Sequence, residues 1–202
     1  MATIRIPEQR HQASIVVMAG DCVVSQHIML NAIMTKWKFK SGLVFGSLPN
    51  KYPNCIQVQE YDENFFKGYH SVLCRNQKVK GTLLAPNYLV IEGDAKCLQT
   101  EYLTNFMSNH RSTSNTTVFL LMPSLPDKIS VTLRANTTYA CLWPTAFHDR
   151  LCSMYNSYGI GFDTILKFNS KLNKCIEHKH SCMLIETFKE MPEWICAPEP
   201  VN

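Results

Sequence analysis

The sequence lacks any long hydrophobic run. No stretch of the 202 residues approaches the roughly 18 consecutive apolar residues that a membrane-spanning helix needs. The apolar run that follows Ser14 is about six residues long, which is too short for the core of a signal peptide, and charged residues precede it. We therefore expect a soluble protein that is made in the cytosol.

Charged residues are scarce, and low-complexity segments and internal repeats are absent. Only 18% of the residues are charged, whereas 46% are hydrophobic, and this balance excludes a wholly disordered chain. The net charge of +4 is compatible with nucleic-acid binding but does not require it. A chain of this length can bury the core of one domain without covalent cross-links.

The cysteines lack the pattern of a disulfide framework. There are nine of them, an odd number, and their spacing is irregular. This usage is typical of reduced, partly buried thiols.

Short apolar runs rich in β-branched residues alternate with segments of helical spacing. The predicted strands are Ser14–Met18, Gly42–Phe45, Ile56–Val58, Leu89–Ile91, Val118–Met122, Tyr139–Trp143 and Met183–Ile185. The predicted helices are His27–Lys36, Glu63–Leu73, Tyr102–Asn109, Phe147–Tyr155 and Phe162–Leu172. Apolar runs without polar interruption are typical of strands that are buried on both faces. The alternation predicts an α/β fold, with a mostly parallel sheet flanked by helices on both faces.

One domain accounts for most of the chain. We predict a lead-in over residues 1–12, the domain over 13–190, and a loose tail over 191–202, which contains several prolines.

The turn from the first strand to the first helix has the length and the first glycine of the phosphate-binding motif G-x-x-x-x-G-K-[ST]. Ligands of α/β sheets gather at this turn. In order, its residues are Gly20, Asp21, Cys22, Val23, Val24, Ser25, Gln26 and His27. Ser25 stands at the second glycine position, Gln26 at the lysine position and His27 at the position of the magnesium-binding hydroxyl.

Each of these changes weakens phosphate binding. Val23 and Val24 are stiff where the loop must wrap a phosphate. Gln26 donates hydrogen bonds without a charge, and a hydrogen bond to a charged group is worth about 1.5–3 kcal/mol, or about 10- to 100-fold in affinity. His27 is a poor ligand for Mg²⁺. The helix N-terminus still offers donors to an anion, but on the motif alone an ordinary turn is the better interpretation.

Longer segments of the chain follow one another in a recognisable order. They are GLVFGSLPNKYPNCIQVQEYDENFF, YLVIEGDAKCL, LTNFMSNHRSTSNTTVFLLMPSLPDKISVTLRANTTYACLW, YNSYGIGFDTILKFN and SCMLIET. Together they resemble the viral genome-packaging ATPases of the FtsK/HerA superfamily, of the type found in poxviruses and Polinton elements. The resemblance runs from about Ser14 to Thr187. It implies a P-loop NTPase-like fold, ATP and Mg²⁺ as ligands, a homo-oligomeric ring or association with a catalytic homologue, and viral DNA or capsid protein as partners.

The resemblance also assigns a place to the family's acid pair, a strand that ends in two adjacent carboxylates. Here the strand leads into Glu92, Gly93 and Asp94, so that a glycine takes the place of the second acid. Glu92 can face the cleft and Asp94 can reach it from two residues on. Two solvated acids at a strand end are an equally good interpretation.

The family's sensor and arginines fall on other elements. The polar sensor corresponds to about Met122 and Pro123, which cannot sense a γ-phosphate, and Ser124 is a nearby substitute only if the turn shifts. Arg111 and Arg134 stand where the family has arginines, and the resemblance implies that they face a neighbouring subunit's nucleotide. Interface or surface charge is the alternative; we favour it for Arg111 and leave Arg134 open.

A second group of residues has the chemistry of zinc ligands. Cys175, His178, His180 and Cys182 lie within eight residues, but the spacing C-x₂-H-x-H-x-C is not that of a familiar zinc finger. We favour a helix end that leads into a strand over a metal site.

Three hypotheses about function follow. The first is a packaging-ATPase homologue that is catalytically inactive or very weak, binds ATP and Mg²⁺ weakly at best, and acts in virion assembly or DNA packaging in the host cytoplasm, the nucleus or the virion. The second is a divergent but active ATP-driven packaging motor, in which Gln26 serves in place of lysine. The third is a DNA- or protein-binding module that uses no nucleotide.

Overall fold

The protein forms one mixed sheet covered by helices. The computed structural model describes residues 13–47, 52, 54–80, 86–93, 98, 100–125, 131–177, 180–187 and 193–196. The strands are β1 (Ile15–Ala19), β2 (Ser41–Phe45), β3 (Cys55–Val58), β4 (Asn87–Glu92), β5 (Thr116–Met122), β6 (Tyr139–Leu142), β7 (Ser181–Glu186) and β8 (Glu193–Cys196). The helices are α1 (Val23–Trp37), α2 (Glu63–Lys80), α3 (Glu101–Thr113), α4 (Val131–Asn136), α5 (His148–Tyr158) and α6 (Ile165–Asn173), followed by a 3₁₀ turn over Lys174–Glu177.

The eight strands lie in the order β3-β2-β4-β5-β1-β6-β7-β8. All neighbours from β3 to β6 are parallel, whereas β7 pairs antiparallel with β6 and β8 antiparallel with β7. The mostly parallel sheet predicted from the sequence is therefore confirmed. The strand order places β1 between β5 and β6, at the centre of the sheet.

The sheet is buried on both faces. Along β1, Ile15 and Val17 point into one hydrophobic core, and Val16 and Met18 point into the other. Helix α1 packs on the second core through Met29, Leu30, Ile33 and Trp37. Helices α2 to α6 all contribute to the first core, so helices cover both faces but unevenly. Each fully buried aliphatic side chain stabilises the fold by about 1.5–3 kcal/mol.

Three elements differ from the sequence-based expectation. Helix α1 begins at Val23 and not at His27, so part of the predicted loop is helical. Helix α4 was not predicted, because its six residues are too few to show a helical period. Strand β8 lies inside the segment predicted to be a loose tail, where Glu193–Cys196 pairs with β7 as an edge strand.

The carboxyl ends of β1, β4 and β5 meet at one edge of the sheet, which we call the carboxyl edge. The register pairs Ala19 with Met122, and Leu121 with Glu92. Crevices at this edge are where open α/β sheets bind their ligands. Among the described helices, none is both long enough and apolar enough to cross a membrane.

Candidate functional site

The carboxyl edge brings together the predicted loop and the predicted acid. The loop Gly20–His27 leaves β1, and Glu92 ends β4 with β5 between them. Three of the motif positions predicted from the sequence therefore lie side by side: the loop, Glu92 and the sensor position after β5.

Gly20 is the residue that the turn requires. Its φ is +140°, and its N–H donates to the carbonyl oxygen of Met122 at 3.3 Å. A Cβ atom at this position would lie 2.6 Å from the carbonyl oxygen of Trp143, which is closer than real Cβ contacts. Glycine is thus needed both for the backbone conformation and for the close approach of the segment after β6.

The residues that follow Gly20 do not form a wrapped loop. Helix α1 starts at Val23, and the N–H of Gln26 already donates to the Cys22 carbonyl at 3.1 Å. Val23 and Val24 are 42% and 64% exposed on the first helical turn. The backbone that cradles phosphates in the motif is therefore taken up here by one turn of helix.

Gln26 turns into the protein at the lysine position. The residue is 1% exposed, and its Nε2 donates to the carbonyl oxygens of Gly20 at 2.9 Å and Met122 at 3.1 Å. A carboxamide nitrogen carries two N–H donors, so both are in use. Gln26 joins the ends of β1 and β5 and has no donor left for a phosphate.

His27 contacts the candidate acid directly. Its Nε2 lies 2.6 Å from Glu92 Oε1, and both side chains are partly buried. The second carboxylate oxygen of Glu92 accepts the Ser47 N–H at 3.0 Å. The carboxylate is thereby held between the helix and the segment after β2.

This donor set does not fit a Mg²⁺–nucleotide. In the family that the sequence resembles, position 27 supplies a hydroxyl and position 92 an acid for the metal shell. Here the imidazole occupies one oxygen of Glu92 and a backbone N–H the other, and the hard oxygen ligands that Mg²⁺ prefers are not free.

The second acid position has a backbone suited to glycine. Gly93 has φ +142° and donates its N–H to the Leu121 carbonyl at 3.1 Å. A residue with a side chain is strained at this φ, so the glycine fits the turn and a carboxylate does not. Asp94 lies outside the described residues.

Ser25 connects the first turn of α1 to the turn before β7. Its hydroxyl is 3.1 Å from His180 Nδ1 and 2.7 Å from Cys22 Sγ, and the residue is 3% exposed. His180 adopts a left-handed backbone with φ 59°, which aims it away from the strand that it precedes. At the second glycine position of the motif, a buried serine therefore holds α1 to the turn before β7.

The predicted zinc ligands do not converge in the described structure. Cys182 is buried in the core beneath α1, whereas His180 contacts Ser25. The side chain of Cys175 and all of His178 lie outside the described residues. Within the part of the chain that is described, no three such side chains lie close enough to hold a metal ion.

Asp21 fastens the turn to α5. It accepts the Ala146 N–H at 3.1 Å and pairs with Arg150 at 2.5 Å, and the Arg150 guanidinium lies over the Phe147 ring. Partial burial raises the pKa of Asp21, but the hydrogen bonds from Ala146 and Thr145 and the charge of Arg150 outweigh it. The net result is a pKa below the ordinary value.

The remaining predicted residues lie elsewhere. Met122 is buried, and its contribution to the site is its carbonyl oxygen. Arg134 in α4 and Arg111 near the end of α3 precede β6 and β5, so their positions lie at the opposite edge of the sheet, where the parallel strands begin. We call it the amino edge. The side chain of Arg111 is not among those that the structure describes.

Several residues of the site were not predicted to belong to it. Ser47, Trp143, Arg150 and His180 reach it from four separate segments. No spacing within the chain connects them to Gly20–His27. Ser47 lies two residues after the predicted strand Gly42–Phe45, and Trp143 ends the predicted strand Tyr139–Trp143, so these two sequence positions pointed to the correct edge.

No family model matches the sequence, and no curated protein matches it. Solved structures do share its fold. The DNA-packaging ATPase of Sulfolobus turreted icosahedral virus superposes with a TM-score of 0.64 at 10% identity, over 96% of this chain and 100% of that one. The genome-packaging NTPase of Sulfolobus turreted icosahedral virus 2, solved with ATPγS, gives a TM-score of 0.64 at 9% identity, over 91% and 96% of the two chains.

Larger ATPases share the same fold. The pCW3 conjugation coupling protein TcpA, also solved with ATPγS, matches with a TM-score of 0.63 at 14% identity, over 92% of this chain and 60% of that one. At these identities the likeness is one of fold. It confirms the P-loop NTPase-like α/β fold predicted from the sequence, with viral packaging ATPases among its structural neighbours.

Proposed function

We propose that this protein is a homologue of viral DNA-packaging ATPases that hydrolyses ATP very slowly or not at all, and that acts as a pseudo-ATPase in virion assembly or DNA packaging. The fold and the near-complete coverage of the packaging ATPase chain support the family. The position of Gln26 supports the loss of catalysis.

The buried carboxamide of Gln26 is the observation that carries this proposal. In a working phosphate loop, a lysine at this position neutralises the β- and γ-phosphates, and most of the catalytic effect in phosphoryl transfer is electrostatic. Gln26 is uncharged, and both of its donors are bound to carbonyl oxygens inside the protein. The hydrogen bond between His27 and Glu92 adds to this, because it occupies the acid that would hold the metal.

Weak nucleotide binding is part of the proposal. The first N–H groups of α1 have no partners within the helix, and Cys22 provides no side-chain cap. Such a helix end attracts anions. Without the lysine we expect affinity about 10- to 100-fold below that of a complete phosphate loop.

The compartment, the assembly and the partners that we propose for this chain are those that the resemblance to packaging ATPases implies. The chain would act in the host cytoplasm, the nucleus or the virion, in a homo-oligomeric ring or beside a catalytic homologue, in contact with viral DNA or capsid protein. DNA affinity measured against salt concentration tests the DNA contact, since phosphate contacts give a steep salt dependence. A flat dependence would favour a protein partner.

ATP turnover by the purified full-length protein tests the central claim. We expect the unmodified chain to release phosphate no faster than a Glu92→Gln variant, which serves as the background for contaminating ATPases. Turnover that is well above this background and is lost in Glu92→Gln would contradict the proposal and favour a divergent active motor.

A second pair of variants tests the role of the loop. Gln26→Lys combined with His27→Thr restores the motif residues, and Asn31→Lys adds the same charge at an exposed position of the same helix. We expect the double variant to bind ATPγS more tightly than the Asn31→Lys control. Equal affinities would show that the nucleotide does not bind at this loop.

A further inference from the structure

A pocket of about 350 Å³ opens at the amino edge of the sheet, away from Gly20–His27. It lies between α4, the end of α5 and the end of β7. Its wall residues include Val131, Arg134, Ala135, Tyr158, Ile160 and Ile185. This volume lies at the lower end of the range of about 300–1,000 Å³ that small-molecule sites have.

Most of the wall residues of the pocket are apolar. Val131 is 72% exposed and Ile160 is 87% exposed, so two large aliphatic side chains flank the opening in contact with solvent. Single exposed aliphatic residues are ordinary, but their convergence on one concave site is typical of a binding surface.

Two polar side chains that line the pocket, those of Tyr158 and Thr187, have hydrogen-bond partners within the protein. Tyr158 is 4% exposed, and its hydroxyl is 3.2 Å from Thr137 Oγ1. Burial is the main cause that raises the pKa of Tyr158 to about 12, so the phenol is neutral. Thr187 donates its hydroxyl to the Thr137 carbonyl at 2.6 Å. These groups close the base and need no ligand.

Arg134 is different, because most of its donors are unused. Its guanidinium is exposed, and its hydrogen bond within the described structure is one long contact of 3.5 Å from Nη1 to the Asn156 carbonyl. A guanidinium has five N–H donors in a planar fork that matches a carboxylate. Among the described residues, no carboxylate pairs with it.

We propose that this pocket binds the carboxylate end of a small molecule or chain terminus that carries an apolar body, with Arg134 holding the carboxylate and Val131, Ile160 and Ile185 contacting the apolar part. One cation at the rim and aliphatic walls together specify this chemistry. A polyanion such as a nucleotide would leave most of its charge unpaired in this pocket. The proposal is independent of whether the loop Gly20–His27 binds nucleotide.

Titration with octanoate, followed by chemical-shift changes in the ¹⁵N-labelled full-length protein, tests the proposal. We expect saturable shifts at α4, the end of α5 and the end of β7. Octanol and octylamine match the apolar chain without the anion, and we expect at least tenfold weaker binding for both. No saturable shift with octanoate at millimolar concentration, or equal binding of octanol, would overturn the proposal.

Variants of two wall residues sharpen the test. Arg134→Ala should weaken octanoate binding about 10- to 100-fold, the range of a charge-assisted hydrogen bond, and Arg134→Lys should recover part of the loss. Ala135→Leu should also weaken it by filling the pocket while Arg134 is kept. Lys67→Ala, which removes an exposed cation from α2, is the control. Unchanged affinity in Arg134→Ala would overturn the assignment.

Two sources of the carboxylate are distinguished in parallel. A peptide with an apolar C-terminal residue is compared with the same peptide amidated at its C-terminus. Tighter binding of the free-acid peptide than of octanoate identifies a chain terminus as the ligand, and the reverse identifies a free acid. If the amidated peptide binds as well as the free acid, the carboxylate has no role and the proposal fails.

Discussion

At the scale of single residues, the carboxamide of Gln26 stabilises the same junction that a phosphate loop leaves open. Its two hydrogen bonds join the ends of β1 and β5: the acceptor in Gly20 is six positions away in the sequence, and the acceptor in Met122 is 96 positions away. A charged lysine in this buried position would have to leave it to reach a ligand. The glutamine side chain is stable in this buried position, because each of its N–H donors already has an acceptor.

Gln26→Ala should lower the free energy of unfolding by about 1–3 kcal/mol, because the carbonyls of Gly20 and Met122 lose buried donors. Gln26→Glu should cost more at pH 7, since it places a carboxylate against carbonyl oxygens. Burial raises the pKa of such a carboxyl, so this variant should be more stable, relative to the unmodified protein, at pH 4 than at pH 7. Urea unfolding at both pH values measures the effects, with Asn31→Ala on the exposed side of α1 as control.

Gly20→Ala should be among the most destabilising single-methyl additions in this protein. Its φ of +140° disfavours a side chain, and the new Cβ would lie 2.6 Å from the Trp143 carbonyl oxygen. We expect a loss of more than about 2 kcal/mol. Gly68→Ala is the matched control, because no atom lies within 4 Å of the added Cβ in α2 and the helix should gain up to about 1 kcal/mol. Equal effects of the two variants in urea unfolding would refute the packing explanation.

At the scale of elements, the beginning of α1 is tied to three neighbours. Asp21 pairs with α5, Ser25 contacts the turn before β7, and His27 contacts the end of β4. Asp21 lies in the turn before the helix, and Ser25 and His27 lie in its first two turns. They hold the strand-to-helix junction rigidly against the sheet, without a ligand.

The ion pair of Asp21 should show in the pH dependence of stability. The pKa of Asp21 in the folded protein lies below its ordinary value of about 3.9, so the unfolded chain binds more protons between the two values. The stabilisation is complete above the ordinary value and is lost as the pH falls through the folded one. The stability difference between the unmodified protein and Asp21→Asn should therefore be constant from pH 7 to about pH 5 and shrink below about pH 4.

Asp149→Asn is the control for this measurement, because Asp149 is an exposed aspartate of α5, the helix that carries Arg150. A difference that persists at pH 2.5 would mean that the Asp21 contact acts through shape and not through charge.

The elements themselves were largely predictable from the sequence. Apolar runs such as VVM in β1 and VFLLM in β5 identify buried strands, because no polar residue interrupts them. The start of α1 was not predictable, since the frame of a known motif placed Val23 and Val24 in a loop. The partners of Gln26 and Ser25 were not predictable either, because they lie 96 and 155 positions away and depend on the strand order.

At the scale of the whole molecule, the two edges of the sheet have opposite character. The carboxyl edge is closed by its own side chains, whereas the amino edge has an open pocket beside an exposed cation. A ligand that binds the folded protein at either edge raises its stability in proportion to the logarithm of the ligand concentration over its Kd.

Thermal unfolding in the presence of nucleotide tests whether a ligand binds at the carboxyl edge. A ligand at 100 times its Kd adds about 2.7 kcal/mol, or about 5–10 °C in Tm for a chain of this size. With 1 mM Mg²⁺–ATP we expect a shift of at most about 1 °C, because the loop lacks its charge and its cradle. A shift of 5 °C or more in the unmodified protein would show that a tight nucleotide site exists after all.

The contacts of Gln26 and His27 also couple the two positions to each other. A lysine at position 26 alone would bring a charge into a junction shaped for a neutral amide, and a threonine at position 27 alone would release Glu92 from its partner. We expect each single substitution to lower the stability of the fold, and neither alone to produce ATP hydrolysis. Under the proposed function, this coupling would keep an inactive loop inactive, because a return to hydrolysis needs both substitutions together and either one alone disturbs contacts that the fold uses.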